Sequence, residues 1–315
     1  MNQTPSQDRR IIAVVGPTAT GKTALAVELA KIYNGEVISC DSVQVYKGLD
    51  IGSAKVTSEE MQGVKHHLID VAAPCESFSC ADYAMAAKKA IEDIQSRGKT
   101  VIFCGGTGLY LDSVIGISGF SEAGKDDAFR AEMEKKTPAE LHAALTEVDP
   151  VSASAIHMNN IKRVIRALEI FHVTGKPKSV WDEESRQVKP PYETVIIGLD
   201  LRDRAALYER IDRRVDIMME NGLADEVRLL DTPGFRASTA SDGIGYKEIL
   251  RFFDGECTLD EAVADIKQAS RNYAKRQLTW FRRNKNVSWI FVDDFCGEDK
   301  FKLIVNSAIN IINNK

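Results

Sequence analysis

The chain has 315 residues and a formal net charge of −5, and 44% of its residues are hydrophobic and 28% charged. This balance is typical of a globular protein and excludes a disordered or fibrous chain, and the length allows one large domain or two packed ones. The negative charge argues against indiscriminate nucleic-acid binding, although a local basic face can lie on an acidic body.

Cysteine spacing and the N-terminus indicate the compartment. The six cysteines form no Cys-x-x-Cys pair and no zinc-like spacing with histidine, so free thiols in a reducing compartment are expected. The first ten residues are polar and lack a signal-peptide core, and no apolar run reaches the roughly 18 residues that a membrane span needs. We therefore expect a cytoplasmic protein without a membrane segment.

The first third of the chain alternates strands and helices. Ile11–Val15 is an apolar strand before a glycine-rich loop, and a helix is predicted from Lys22 to Tyr33. A second strand follows at Glu36–Cys40, a helix at Ala81–Arg97 and a strand at Thr100–Cys104. This order predicts an α/β fold with a parallel sheet.

The pattern changes after about Phe120. Residues 126–174 are helical and highly charged, residues 175–191 read as a polar loop, and a strand returns at 194–199. The remaining elements are predicted as helices at 203–221, 244–254 and 259–285, a strand at 287–292 and a closing helix. We therefore predict a P-loop catalytic core, residues 1–120 and 190–315, with helices flanking its sheet, and a helical insertion domain, residues 121–189.

The loop between the first strand and the first helix matches the phosphate-binding pattern G-x-x-x-x-G-K-[ST]; it reads Gly16-Pro17-Thr18-Ala19-Thr20-Gly21-Lys22-Thr23. Its glycines let backbone N–H groups turn towards phosphate oxygens at the start of a helix. Lys22 supplies a positive charge, and the Thr23 hydroxyl suits Mg²⁺. The loop does not reveal which phosphate it binds, because a nucleotide and a prenyl diphosphate present the same oxygens.

Two more strand ends carry polar residues. Asp41 follows the second strand, at the edge of a parallel sheet where ligands bind. It could ligate Mg²⁺, act as a general base, or merely form a turn. Thr107 lies in a Gly105-Gly106-Thr107-Gly108 turn, which is either an ordinary strand-to-helix turn or a further part of the site.

These motifs occur together in an order that resembles the bacterial tRNA dimethylallyltransferase family, also called tRNA isopentenyltransferases. The resemblance covers roughly residues 11–285 and is carried by the phosphate loop, Asp41-Ser42-Val43-Gln44-Val45-Tyr46, Asp50–Lys55, His66–Asp70, Gly105–Tyr110, Arg163 with Arg166–Glu169, Gly175-Lys176-Pro177, Gly245-Tyr246 and Ala274–Gln277. It implies transfer of a dimethylallyl group from dimethylallyl diphosphate to N6 of the adenosine just 3′ of the anticodon, with release of diphosphate.

The resemblance also implies roles for individual residues. Asp41 is expected to be the base that takes the N6 proton, and Thr107 to hydrogen-bond the oxygen between carbon and phosphorus. Lys22, Arg214 and Mg²⁺ are expected to neutralise the diphosphate in the loop Gly16–Thr23, with Thr23 holding the metal. Ser42, Val43 and Gln44 are expected beside the target adenine.

Basic residues indicate where tRNA would bind. On the predicted helix 259–285, Arg271, Lys275 and Arg282 fall within about 40° of one another, opposite a stripe with Ala262, Ile266, Ala269, Tyr273 and Trp280, and Arg276 flanks them. By resemblance, the insertion contributes Arg130, Asn160, Lys162, Arg163 and Arg166, which would contact the anticodon stem-loop. The expected partners are thus tRNA and dimethylallyl diphosphate, and the protein is expected to be a monomer.

Three other functions remain open at this point. An adenylate isopentenyltransferase would keep the donor site but needs no long basic helix. A P-loop nucleotide kinase would need an arginine-rich lid, and no such segment is evident after the third strand. A GTP- or ATP-driven RNA-binding switch would need a motif for its nucleotide base, and none is visible.

Overall fold

The computed structural model describes residues 10–116, 124–187 and 190–315. Six parallel strands form one sheet in the order β3-β2-β4-β1-β5-β6. The strands are β1 Arg10–Val15, β2 Gly35–Cys40, β3 His66–His67, β4 Thr100–Gly105, β5 Glu193–Asp200 and β6 Val287–Phe291. Strands buried on both faces read as continuous apolar runs, which is why β1, β4 and β5 are evident in the sequence. The α/β prediction is confirmed.

Ten helices of the described chain belong to the sheet-containing part. They are α1 Lys22–Ile32, α2 Ser58–Met61, α3 Cys80–Ser96, α4 Gly108–Ile115, α10 Arg204–Glu220, α11 Leu223–Leu230, α12 Pro233–Arg236, α13 Tyr246–Phe253, α14 Leu259–Arg282 and α15 Lys300–Asn313. The main core cluster joins residues of α1, α10, α14 and α15 to the sheet; Leu25, Leu207, Leu278 and Ala308 are examples. Helices α10 and α14 are thereby fixed against the sheet that carries the phosphate loop.

The chain folds into two compact units. The first, here called the core unit, comprises the residues up to Val114 and Tyr192–Lys315. The second, the insertion unit, comprises Ile115–Pro191. The sequence placed these boundaries at 120/121 and 189/190; residues 120, 121 and 189 lie outside the described residues, as does the N-terminal segment 1–9.

The insertion unit is helical. Its helices are α5 Asp127–Met133, α6 Pro138–Val148, α7 Pro150–Ala155, α8 Ile161–Thr174 and α9 Lys178–Gln187. Its own apolar cluster includes Met133, Leu141, Leu145, Val164 and Leu168. Because the unit buries side chains of its own, it has the means to hold its helices together without the sheet.

One local prediction was wrong, and several short elements were missed. Residues 175–191 were predicted to be a loop, but α9 forms there because Pro177 precedes the helix, where a missing N–H costs nothing. Trp181 also donates from Nε1 to Thr174 Oγ1 at 3.2 Å, which ties α9 to α8. Helices α11 and α12 were missed between 221 and 244, and so was β3, which is too short to show a period.

The six cysteines are all free and all lie in described segments, as expected. In the described part of the chain, no helix is both long enough and apolar enough to cross a bilayer.

Candidate active site

The phosphate loop turns sharply between β1 and α1. Gly16 has a φ of 136°, and a Cβ there would lie 2.2 Å from the Leu199 carbonyl oxygen, so only glycine fits. Thr20 is buried and its Oγ1 donates to the Pro17 carbonyl at 2.9 Å. Gly21, with a φ of 88°, starts α1 without a side-chain cap, so the first N–H groups of the helix have no cap from that residue.

Lys22 lies on the first turn of α1 and is half-buried. Its Nζ donates to the Pro17 carbonyl at 2.7 Å. Burial lowers the Lys22 pKa to about 8, and the nearby Arg214 charge acts in the same direction, against the opposing effects of Cys104 and Asp41. The loop therefore contains a cation that is poorly stabilised until an anion binds.

A cavity of about 580 Å³ opens beside the loop in the core unit. It collects residues from the loop, β2 and its following turn, β4, α10 and α14; the sequence-predicted ones are Thr18, Lys22, Thr23, Asp41, Ser42, Val43, Gln44, Arg214 and Arg276. Part of its wall is apolar, with Val37, Ile211, Val215, Met218 and Ile266. A cavity with cations at one place and aliphatic side chains at another suits an amphiphilic ligand.

Arg214 of α10 is the most unusual group in this cavity. Its Nε is buried and makes no hydrogen bond within the described residues. Burial lowers the Arg214 pKa, whereas the nearby carboxylates of Asp41 and Glu60 oppose that shift. A buried N–H without an acceptor is costly, so the guanidinium is arranged for a ligand that supplies an acceptor.

Asp41 follows β2 and its side chain has a structural task. Its Oδ1 accepts from the backbone N–H of Val43 at 2.9 Å and of Gln44 at 3.3 Å. The turn-forming role considered from the sequence is therefore present. Since both bonds reach one oxygen, the other oxygen is not required for the turn.

Thr107 is joined to the Asp41 turn. Its Oγ1 accepts from the Ser42 N–H at 3.1 Å and lies 3.5 Å from the Tyr273 hydroxyl, while its own N–H donates to the Cys40 carbonyl at 3.0 Å. The strand register places Cys40 opposite Gly105, which brings the ends of β2 and β4 together.

The glycines around Thr107 serve three close contacts. An added Cβ would lie 2.2 Å from the Cys40 carbonyl oxygen at Gly105, 1.9 Å from Gln277 Nε2 at Gly106 and 2.1 Å from Trp280 Cδ1 at Gly108. This turn is therefore more than an ordinary connection between strand and helix, since each glycine admits a different neighbour.

Gln44 is held inside the protein at both ends of its amide. Its Oε1 accepts from Ser39 Oγ at 3.0 Å, and its Nε2 donates to the Ala54 carbonyl at 3.2 Å. The segment 50–52 is fixed in turn by Glu226 of α11, whose carboxylate accepts from three backbone N–H groups at 2.7–3.1 Å. Gln44 thus shapes the cavity wall, and reading of adenine by its amide stays a prediction.

Several cavity residues were not identified from the sequence. Tyr273 was assigned to the core-facing stripe of α14, and Gln277, 5% exposed, had no role, although their i, i+4 spacing places them on one face. Cys104 also lines the cavity, and burial raises its pKa to about 11. His66 donates from Nδ1 to the Val64 carbonyl, which leaves its buried Nε2 without a partner among the described residues.

Some basic residues of α14 are held in salt bridges, whereas others are exposed without one among the described residues. Arg271 is bound to Asp212 at 2.5 Å, and Arg282 is bound to the fully buried Asp200 at 2.9 Å. Lys275 and Arg276 are exposed and lie over the rings of Tyr208 and Tyr273, 5.6 and 5.5 Å from their centroids. Of these four candidates for tRNA contact, Lys275 and Arg276 are the better placed to meet a phosphate.

The polar and basic residues of the insertion unit likewise include some that are held in salt bridges and some that are exposed. Arg130 and Arg166 both bind Glu169, which is fully buried. Burial alone would raise the Glu169 pKa, but the hydrogen bonds from the two arginines and the Asp126 N–H outweigh it and lower the pKa to about 2. Asn160, Lys162 and Arg163 are exposed around the start of α8.

Several known proteins are similar to this chain in sequence and in fold. The family model described as IPP transferase matches residues 44–284. The tRNA dimethylallyltransferase of Bacillus pumilus is 49% identical over 290 residues, 91% of each chain. That of Oceanobacillus iheyensis is 46% identical over 309 residues, 97% of this chain and 98% of the relative.

Two solved structures agree with these relatives. The full-length tRNA isopentenylpyrophosphate transferase of Bacillus halodurans superimposes with a TM-score of 0.72 at 45% identity, over 97% of each chain. A eukaryotic dimethylallyltransferase acting on tRNA gives a TM-score of 0.78 at 29% identity, over 90% of this chain and 74% of the other. The chain therefore belongs to the IPP transferase family.

Proposed function

We propose that this protein transfers a dimethylallyl group from dimethylallyl diphosphate to N6 of the adenosine just 3′ of the anticodon in tRNA. The observation that carries the proposal is the buried, unpartnered Nε of Arg214 in a cavity shared with Lys22 and Asp41. Two cations prepared for an anion, a carboxylate and an aliphatic wall in one cavity meet the needs of a prenyl diphosphate. The acceptor is inferred from the names of the relatives, which specify tRNA. The protein would meet tRNA in the cytoplasm.

The proposed reaction breaks the bond between the allylic carbon and its oxygen and forms a bond from that carbon to N6. The N6 amine gives up one proton, which the Asp41 carboxylate would accept. Negative charge grows on the leaving diphosphate, where Lys22, Arg214 and the N–H groups of the loop Gly16–Thr23 would stabilise it. Thr107 would donate a hydrogen bond to the departing oxygen.

Mg²⁺ is proposed as the cofactor. Thr23 lines the cavity on the first turn of α1, and its hydroxyl is a hard oxygen ligand of the kind that Mg²⁺ prefers. When bound there, the ion would supply positive charge to the diphosphate. Within the described chain, the one cluster with metal-like spacing is Glu36, His67 and Asp93; its carboxylates are already paired with Arg97 or Lys99 and its histidine with Glu36, so it carries no metal proposal.

The test is direct. The protein is incubated with dimethylallyl diphosphate, Mg²⁺ and unmodified tRNA, and the tRNA nucleosides are analysed for N6-dimethylallyladenosine. Parallel reactions with AMP as acceptor and with ATP as phosphoryl donor examine the adenylate isopentenyltransferase and kinase alternatives. Prenylated AMP or ATP-dependent phosphorylation, with no prenylated tRNA, would reject the proposal.

Donor affinity should depend on the charge of Lys22. Because burial holds the Lys22 pKa near 8, the free protein loses this positive charge as the pH rises through about 8. Above that value donor binding must take up a proton, so affinity should fall by up to about tenfold per pH unit. Calorimetric titration with dimethylallyl diphosphate between pH 6.5 and 9.5 measures this, and a Lys22→Met variant should bind weakly with a flatter pH profile.

Exposed Arg163 and paired Arg130 should behave differently when each is replaced by alanine. Arg163→Ala should weaken tRNA binding and reduce the slope of log affinity against log salt by about one, since one phosphate contact is lost. It should leave donor affinity and thermal stability unchanged. Filter binding across a salt series and thermal melts measure these quantities.

Arg130→Ala serves as the contrasting variant. It removes one of the two arginines that bind the buried Glu169, and because Arg166 remains in place the stability should fall by about 2 kcal/mol. If Arg163→Ala lowered donor and tRNA affinity equally, the assignment of this residue to tRNA alone would be wrong.

A further inference from the structure

A line of polar side chains runs from the phosphate loop through α14 to Thr107. Gln277 and Tyr273 are four residues apart on α14, and both line the cavity. The roles inferred for them rest on the proposed function, in which the Thr107 hydroxyl donates to the oxygen that leaves with diphosphate. The hydrogen bonds in this line have a definite direction, which follows from the groups at its two ends.

At the first end, the orientation of the Gln277 amide is fixed. The backbone N–H of Thr18 can only donate, and it lies 3.0 Å from Gln277 Oε1. The amide oxygen is therefore the acceptor, and Nε2, with its two protons, faces the other way. The missing side chain of Gly106 makes room for that nitrogen, since a Cβ would lie 1.9 Å from it.

The orientation of the Gln277 amide determines which group donates between Gln277 and Tyr273. Burial raises the Tyr273 pKa, whereas Gln277, one helical turn away on α14, acts to lower it, as a hydrogen-bond donor beside the phenol oxygen does. Because the amide oxygen faces Thr18, the bond to Tyr273 is donated by Nε2 and accepted by the phenol oxygen. The phenol proton is then free to be donated onward, and Thr107 Oγ1 lies 3.5 Å away.

At the other end of the line, the Thr107 hydroxyl oxygen accepts hydrogen bonds from the protein. Its Oγ1 accepts from the Ser42 backbone N–H at 3.1 Å, another group that can only donate. With the Tyr273 proton also accepted, both lone pairs of the oxygen are in use. Among the described residues, the Thr107 proton has one acceptor, Ser42 Oγ at 3.5 Å, and because this contact is as long and weak as the one to Tyr273, the proton can turn to a ligand at little cost.

We propose that Tyr273 and Gln277 are positioning residues that set the direction of the Thr107 hydroxyl, so that its proton points at the departing oxygen of the prenyl donor. No proton is transferred along the line. Each hydrogen bond polarises the next, and Thr107 becomes a better donor as negative charge develops on the leaving oxygen. Neither Tyr273 nor Gln277 needs to touch the reacting atoms.

The first test is Tyr273→Phe, which removes the phenol oxygen and keeps the ring. The maximal rate of prenyl transfer to tRNA should fall about tenfold, with unchanged affinity for donor and tRNA. Thr107→Val should lower the rate further, and Thr107→Val/Tyr273→Phe should be no slower than Thr107→Val alone, because Tyr273 acts through that hydroxyl. Tyr33→Phe, at a tyrosine outside the cavity, controls for loss of a phenol oxygen.

Gln277→Glu then tests direction rather than packing. A carboxylate still accepts from Thr18 N–H but has no proton for Tyr273, so the phenol would donate to it and turn away from Thr107. The rate at saturating donor should again fall about tenfold, and combination with Tyr273→Phe should add nothing. The extra negative charge should also raise the donor KM.

A merely structural Gln277 predicts a wild-type rate at saturation for Gln277→Glu. A wild-type rate in Tyr273→Phe, or a full multiplicative loss in its combination with Thr107→Val, would overturn the positioning role. These outcomes differ from failure of the proposed function, in which the wild-type protein itself forms no prenylated tRNA.

Discussion

Asp41→Asn is expected to lower prenyl transfer to tRNA by about 10³-fold while the protein stays folded. An amide cannot take the proton that N6 releases, yet its oxygen can still accept from the N–H groups of Val43 and Gln44. The turn after β2 should therefore survive. Single-turnover assays with saturating donor and tRNA measure the rate, and thermal melts and circular dichroism measure the fold.

A second variant distinguishes the base from the turn former. Asp41→Ala removes both functions and should lower activity and stability together. If the turn were the only task of Asp41, asparagine would support a rate near that of the wild type and only alanine would fail. Such an outcome would reject Asp41 as the base and leave the reaction without a proton acceptor at that position.

Arg214→Met is expected to weaken donor binding by about 100-fold and, at the same time, to make the free protein more stable. The guanidinium carries a buried Nε–H without an acceptor, whereas methionine fills similar space without a polar group. Attraction to the nearby Asp41 and Glu60 carboxylates offsets part of the cost, so we expect a gain of about 1 kcal/mol. Calorimetry with dimethylallyl diphosphate and denaturant unfolding measure the two effects.

Arg213 offers a matched control, because it is the adjacent arginine of α10 and is exposed. Arg213→Met should change neither quantity appreciably. A loss of stability in Arg214→Met would show that the arginine supports the fold, and unchanged donor affinity would show that the diphosphate lies elsewhere. Opposite effects on binding and stability are the mark of a group held in readiness for its ligand.

Much of the fold could be predicted from the sequence because the patterns that indicate it lie within short segments. The apolar strands β1, β4 and β5 and the pattern Gly16–Thr23 need only neighbouring residues to be recognised. The ends of β2 and β4 were expected at one edge of the sheet because the carboxyl ends of parallel strands lie together, whereas the assignment of Thr107 to the site came from the family resemblance.

Salt-bridge and hydrogen-bond partners that are distant in the sequence could not be predicted. A helical period showed that Arg271 and Arg282 share a face, but not that Asp212 and Asp200 neutralise them. The pairing of Arg130 with Glu169 joins residues 39 apart, and the bond between Thr18 and Gln277 spans 259. Whether these arginines contact tRNA stays a prediction, whereas their structural partners are now known.

The Gly105-Gly106-Thr107-Gly108 turn limits how such an enzyme could be redesigned. Gly105 and Gly108 hold the Cys40 backbone and the Trp280 ring closer than any side chain would permit, so a mutant library here should yield glycine at these two positions among active clones. Acceptance of bulkier allylic donors would have to come from the aliphatic side of the cavity, where Val215 and Met218 of α10 can be shortened without touching that turn. The aliphatic wall and the Thr107 turn thus lie on different elements, and Val215 and Met218 can be altered while that turn and the neighbouring Arg214 of α10 are kept.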